Sequence, residues 1–479
     1  MTLGQPMKTA GLCGLLCFGV MANAYAAPVA GKATPYTSAN GVEERCVRIE
    51  KFPGAHYSKH DHNTEKQYCG LELGRMVMCP KLWSTSPGTI LYEIAEGADP
   101  LEFERQHCAE GHHVKDLAID KPAVFKMSVN GHDTSGTYAP SSWVYYHFSR
   151  YFRTNTHVPV AVYRSLEKNA HHERVVKPAL AMTANKRHMK MLAAGWAFVE
   201  QVQTGGGSGV ANAEMLTDEG RQVYGVLIEN KGDRYGPEFN GTRESGWGNG
   251  QNYDFQQTAP FLALRTQGDL AEVAASSIRE ARKNPKMAKA LAADTPVEQV
   301  VFWMQDVIEI TLMDYLFGQQ DRIGNIDWRW YWYWIEEGKL KSRHAKGADV
   351  PDDLAAYEPL RIRQSASNDN DAGVRRGYAN FTKRTHMLEN LNHYSPDLYQ
   401  RLGRLAADFK AEGPAYEWLT ASAGLSERTA ADVVTRTLEA FDLLQGQCRS
   451  GAMSLDLDLT AFVKGEGAGA SSCEVESSP

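Results

Sequence analysis

The stretch whose reading decides the fold is TLMDYLFGQQDRIGNIDWRWYWYW, residues 311–334. Its first seven residues finish an apolar run that begins at Val297. From Val297 to Phe317 charges are few and apolar residues occupy most helical faces, so this helix belongs in the interior of a domain. Thr295 as N-cap, Pro296 in the first turn and Glu298 closing a capping box mark its start. Gly318 stands where the helix is expected to stop. Asp321 and Asn325 then share a short loop, and an aromatic strand follows from Trp328 to Trp334. A period of two puts Trp328, Trp330, Trp332 and Trp334 on one face, for packing under the loop or for stacking on a ligand. A carboxylate and an amide held between a buried helix and a strand can accept a proton and ligate a metal ion. The same residue types also cap ordinary turns, so both readings of this loop stand.

The chain has 479 residues, enough for two to three domain-sized units. Hydrophobic residues make up 43% and charged residues 23%, the balance of a globular protein. A net charge of −7 offers no basic footprint and argues against nucleic acid as a partner. Residues 1–27 have the pattern of an export signal: Lys8, an apolar run from Ala10 to Ala22, and small residues ending in A-x-A. That run is too short to span a bilayer as a mature helix, and no other segment is long and apolar enough. The expectation is a secreted or periplasmic protein (a secretory-lumen protein if the host is eukaryotic) with no membrane span after cleavage. Six cysteines lie beyond the signal: Cys46, Cys69, Cys79, Cys108, Cys448 and Cys473. In an oxidising compartment they allow up to three disulfides, whose pairing the sequence leaves open; Cys448 and Cys473 could close the tail.

A Cys-containing extension spans residues 28–110. Strands are expected at 88–97, 122–131, 158–166 and 223–230, and helices at Ser141–Phe152 and Pro178–Val202. Thr204–Gly209 is a flexible break. Residues 231–257, rich in Gly, Asn and Trp, are expected as a loop insertion. Helices capped at Ser395 and Ser426 follow, and the tail from Gly465 is expected to be disordered apart from any Cys473 bridge. Asn240 and Asn380 head glycosylation sequons that matter only in a eukaryotic host. His56, His60 and His62 match no closed zinc motif.

Two further features bear on the Asp321 loop. Lys126 sits inside the apolar strand AVFKM, residues 123–127, where a charge is costly unless it is used or snorkels to solvent. SNDNDAGV, residues 367–374, offers Asp369 and Asp371 beside an amide and a glycine, a plausible Mg²⁺ site or a polar turn. The order is strand Lys, helix, further strands, buried helix, Asp loop, aromatic strand, acidic segment.

These segments resemble the secretory-pathway kinases related to the Golgi casein kinase, and more loosely the spore-coat and HipA-type kinases. AVFKM is similar to the family's nucleotide-binding strand, YYHFSRYF with VPVAVYR (145–164) to its αC helix and next strand, DYLFGQQDR (314–322) to its catalytic loop, and NDNDAGV (368–374) to its metal-binding segment. The resemblance covers roughly residues 121–445. It implies an α+β, two-lobed protein-kinase-like fold, with a small β-rich lobe over residues 111–222, a larger helical lobe over residues 223–448 and a flexible tail over residues 449–479. It implies ATP with Mg²⁺ or Mn²⁺, Lys126 on the nucleotide, Asp321 as the catalytic carboxylate, and Asn325 with Asp369 or Asp371 on the metal. The implied reaction moves the γ-phosphate to a hydroxyl-bearing acceptor, a protein Ser/Thr or a sugar. Two departures accompany it. Ser142 falls where the family carries the αC glutamate that pairs with the strand lysine, which makes a nucleotide- or partner-binding pseudokinase the first alternative. Asn325 stands four residues after the Asp, a spacing closer to lipid and HipA-type kinases. The second alternative is a disulfide-stapled surface binding module on the same scaffold.

Overall fold

The computed structural model describes residues 29–229, 232–467, 469 and 471–475. The expected signal, residues 1–27, lies outside the described residues. Segments rich in β-branched and aromatic residues pair into one sheet: β1 (Gly31–Thr37), β2 (Glu43–Ile49), β3 (Val77–Pro80), β4 (Thr89–Glu93), β5 (Asp120–Lys126), β6 (Ala161–Glu167), β7 (Leu216–Thr217) and β8 (Gln222–Ile228). Their order is β1–β2–β6–β8–β5–β4–β3, with β7 beside β8, and the pairings are antiparallel. The four expected strands are thus present as β4, β5, β6 and β8. Every residue of β6 and β8 is buried, so both faces of the sheet centre are covered. The aromatic helix Ala139–Phe152 packs on β6 and β8. At the β3–β5 edge, Val77, Ile90, Tyr92 and Val124 pack with Cys108 and Val114.

The second half is organised by the helix Val297–Phe317, almost all of whose residues are buried. Helices Ala259–Leu264, Leu270–Ala281 and Glu427–Arg449 pack on it, and Pro396–Lys410 packs on the last of these. Ser395 and Ser426 cap their helices as expected. The capping box at Thr295 does not form. The preceding turn takes its hydroxyl, which donates to the Ala292 carbonyl at 2.9 Å, and Pro296 becomes the N-cap with no side-chain bond. At the other end Gly318 closes the helix in the left-handed region, at φ 62°.

A smaller antiparallel sheet comprises β9 (Asp233–Arg234), β10 (Ile326–Glu336), β11 (Lys339–His344) and β12 (Leu360–Ser367), in the order β11–β10–β12 with β9 on β10. Tyr333 packs on Phe302 of the central helix. Trp332 packs with Ala345 and Leu354, flanked by Trp330 and Trp334. The tryptophans therefore build a cluster of their own, which Trp328 joins edge to face against Trp330 at 5.4 Å between ring centres while also neighbouring Tyr235 and Arg363.

Other expectations are corrected. The stretch Pro178–Val202 is two helices, Lys177–Thr183 and Lys190–Gln203, separated by a short break. Within residues 232–257, helices Pro237–Asn240 and Asn249–Phe255 bury Phe239 and Phe255 completely, so this stretch is not a plain loop but contributes to the core. In the tail, by contrast, the expected closure by Cys448 and Cys473 is present: the two are bonded, the Tyr399 hydroxyl donates to the Cys473 carbonyl at 2.7 Å, and Arg449 pairs with Glu474.

The other disulfides are Cys46–Cys69 and Cys79–Cys108. No helix among the described residues is long and apolar enough to cross a membrane. Cys46–Cys69 closes a separation of 23 residues and ties β2 to the end of helix Lys59–Tyr68. The double substitution Cys46→Ser/Cys69→Ser is expected to lower unfolding free energy by about 3 kcal/mol, from the loop entropy it releases. Denaturant titration of both proteins under non-reducing conditions checks this; unchanged midpoints would contradict it.

Candidate functional site

The loop after the central helix is held by one buried ion pair. Arg322 donates through Nε and Nη2 to the Asp314 carboxylate at 3.0 to 3.2 Å, and both side chains are under 5% exposed. Arg322 Nη2 also donates to Asn370 Oδ1 at 2.7 Å, and the Tyr145 hydroxyl donates to Asp314 Oδ1 at 2.8 Å. Four segments meet there: the central helix, its loop, the 369–371 turn and the aromatic helix. Backbone bonds reinforce the junction. Gln320 N–H donates to Ala372 O at 3.0 Å, Tyr138 N–H to Asp371 O at 2.6 Å, and Val374 N–H to Phe317 O.

This junction brings the sequence-predicted residues together. Lys126, 3% exposed, ends β5 and donates to Asp369 Oδ1 at 3.0 Å; it also pairs with Asp371 Oδ2 at 3.1 Å. The first partner lies 243 residues further along the chain. Burial opposes the Lys126 charge, but the Asp371 and Asp369 carboxylates outweigh it and hold the ammonium well above its ordinary range. Ser142, at the position where the resemblance implies an acidic helix partner, is buried, and its hydroxyl finds no hydrogen-bond partner among the described residues. The lysine's counter-charge comes from the 369–371 turn instead.

The two aspartates differ in access. The Asp369 side chain is 29% exposed and that of Asp371 only 5%. Burial would push the Asp369 carboxyl up; the Lys126 and Lys81 ammonium groups and the Arg234 guanidinium override it and hold it well below the carboxylate range. Asp321 is tuned the opposite way. Burial, then the charges of Asp369 and Asp371, push its carboxyl up to about 6. The Asp321 carboxylate itself has no hydrogen bond or ion pair among the described residues, while its backbone N–H is held by Gln319 Oε1 at 3.1 Å. Asn325 Nδ2 donates to the Asp321 carbonyl at 2.8 Å and fixes the loop.

Several contributors escaped sequence reasoning. Arg234 donates to Asn325 Oδ1 at 2.7 Å, Asp327 Oδ1 at 3.3 Å and Asp369 Oδ2 at 3.4 Å, so three acceptor oxygens converge on one cation. Asp327 also accepts from Asn368 Nδ2 at 2.6 Å. Asn240, a sequon residue, is buried and engaged: its Oδ1 accepts from Gly324 N–H at 2.9 Å and its Nδ2 donates to Ile326 O, which clamps the loop from outside. Lys81 is buried close enough to Lys126 and Asp369 to feel both charges. None of these has a local signature, because each depends on a distant segment. No group of three or more His, Cys, Asp or Glu among the described residues is arranged to hold a metal ion, and this includes His56, His60 and His62. No protein-family model and no curated protein matches the chain.

Arg322→Met leaves Asp314 buried without its counter-charge. It is expected to cost about 3–5 kcal/mol in stability, against under about 1 kcal/mol for Arg361→Met at the partly exposed Trp330 face. Equal losses in urea unfolding would show that Arg322 is not the anchor of the junction.

Proposed function

We propose that this protein is an exported, atypical kinase-like phosphotransferase, which moves the γ-phosphate of ATP to a protein Ser/Thr or sugar hydroxyl. The observation that carries it is the convergence of Lys126, the Asp321 loop and the 369–371 turn, three segments singled out from sequence and far apart along the chain. Further support comes from the order of parts. A two-stranded hairpin, β3–β4, precedes the Lys126 strand in the sheet, and the aromatic helix follows that strand in the chain. In protein kinases a loop over the phosphates and a strand lysine stand in this relation. On this proposal the large sheet is the small lobe, the helical half is the larger lobe, and nucleotide lies between. The three disulfides fit an oxidising, extracytosolic compartment.

The donor set suits a divalent cation of the Mg²⁺ or Mn²⁺ kind. Such ions take one or two carboxylates and complete their shell with phosphate oxygens and water, so no all-protein cage is required. Asn325 and the partly exposed Asp369 would hold it, and their oxygens already receive a cationic group in Arg234. When bound, the cation supplies charge neutralisation on the phosphates. Lys126 would add a fixed positive charge there. Asp321, free of partners and raised towards neutrality, would orient the acceptor hydroxyl and take its proton. The Asp369 and Asp371 pairing of Lys126 stands in for the absent helix glutamate, so Ser142 does not by itself abolish transfer.

Metal-dependent incorporation of γ-phosphate by the purified protein tests the proposal. Asp321→Ala is expected to slow transfer by roughly 10²–10⁴-fold while nucleotide binding persists. Equal backgrounds in wild type and variant, with an ATP-dependent rise in melting temperature retained, would mean a pseudokinase. No ATP-dependent rise in wild type would point to the binding-module alternative.

The base acts only when ionised. The transfer rate of wild type should therefore fall as pH drops through about 6, well above the range of an ordinary Asp, and level off above about 7. A rate profile flat between pH 5 and 7 would remove Asp321 from the role of base.

A further inference from the structure

The hairpin before the Lys126 strand carries a second buried ammonium group. Lys81 follows β3 directly, and its backbone N–H donates to the Gly88 carbonyl at 2.8 Å. Pro80 pairs with Thr89, and Thr89 pairs with Phe125. One step along, the same row across the strands holds Lys81, Gly88 and Lys126. A Cβ built on Gly88 would lie 3.7 Å from Phe125 O and 3.9 Å from Lys126 Cγ, as that row requires. Side chains on one row of an antiparallel sheet share a face. Lys81 and Lys126 therefore flank a position that has no side chain.

Lys81 is only 7% exposed. Its ammonium makes no hydrogen bond and no ion pair among the described residues, whereas Lys126 beside it has two carboxylates. Burial and the Lys126 charge push the Lys81 ammonium down to about 8, against the weaker opposing pull of the Asp369 and Asp371 carboxylates. A buried, unpartnered ammonium next to another one is costly, and an arriving anion removes that cost. The hairpin turn is also fixed in place. A Cβ at Gly195 would lie 2.6 Å from Pro87 Cδ, so helix Lys190–Gln203 clamps the turn by close approach. The site is thus held ready before any ligand arrives, which lowers the ordering cost of binding.

We propose that Lys81 and Lys126, with Gly88 between them, form a phosphate pocket in which Lys81 is a second phosphate-binding lysine. The ligand class is a polyphosphate chain. Its attachment to a nucleoside rests on the phosphotransferase proposal above; the pocket itself rests on the row and on the unpartnered Lys81. A lone phosphate needs one of the two ammonium groups, whereas a chain of two or three phosphates engages both.

Calorimetric titration of the purified protein, with MgCl₂ present, tests this using tripolyphosphate, ATP and AMP as probes. Lys81→Met is expected to bind tripolyphosphate and ATP about tenfold more weakly or worse, with AMP affinity unchanged within about twofold. Its ligand-free melting temperature should equal or exceed that of wild type, because an unpaired buried charge is gone. Lys81→Arg, which keeps the charge, should retain most of the affinity, and Lys81→Gln replaces the Met variant if that protein does not fold. Wild-type affinity for tripolyphosphate and ATP in Lys81→Met overturns the pocket but leaves the nucleotide proposal standing. Binding of tripolyphosphate and not ATP, weakened in Lys81→Met, supports the pocket and removes the nucleotide. A wild-type protein that binds neither overturns the pocket.

Discussion

The buried pair Arg322–Asp314 is the constraint on which the candidate site depends. A guanidinium and a carboxylate, both nearly excluded from water, tolerate burial only where their mutual attraction and further hydrogen bonds offset the lost hydration. Their remaining partners come from elsewhere: Tyr145 of the aromatic helix and Asn370 of the acidic turn. A single ion pair thereby sets the loop, the turn and the helix relative to one another. Displacing any of the three exposes or orphans a charge, so the arrangement is stiff where precision is useful. Asn240 adds a lighter restraint from outside the loop and Gln319 one from within it.

Within that frame, carboxylates of one type are driven in opposite directions. Asp369 lies against ammonium and guanidinium groups and is held charged, while Asp321 faces those same carboxylates with no partner of its own and is driven towards its neutral form. Groups whose environments separate their protonation behaviour in this way can divide acid, base and ligand roles among identical side chains. Lys126 is the hinge of the division, because its charge stabilises one neighbour and leaves the other to burial and repulsion.

How much of this was legible in the sequence depended on whether the signal was local. The central helix ends at Phe317 as expected because an apolar run and a left-handed glycine act within a few residues. Lys126 and the 367–374 segment stood out because charge within an apolar strand, and acid beside glycine, are conspicuous where they occur. The helix starts one residue later than its cap pattern implies, since the sequence does not say which of two backbone groups the Thr295 hydroxyl prefers. Residues 231–257 looked like a loop because their glycines and asparagines outweigh Phe239 and Phe255, whose burial is decided by tertiary packing. Asp314 and Arg322 both lay inside the stretch first singled out, yet nothing local marks them as partners. Lys81 follows a short strand and Arg234 lies in a two-residue edge strand, places where a cation ordinarily just faces water. Only the folded chain shows what surrounds them.

The three disulfides are all short-range, with separations of 23, 29 and 25 residues, whereas Lys126 and Asp369 meet across 243. Covalent staples therefore secure local pieces and leave assembly of the site to non-covalent closure of a very long loop. Closing such a loop before its contacts reward it is entropically uphill. A nascent, truncated or half-folded chain can carry correct crosslinks and still lack the centre. Packing of distant segments, rather than oxidation, is what brings the cluster into being.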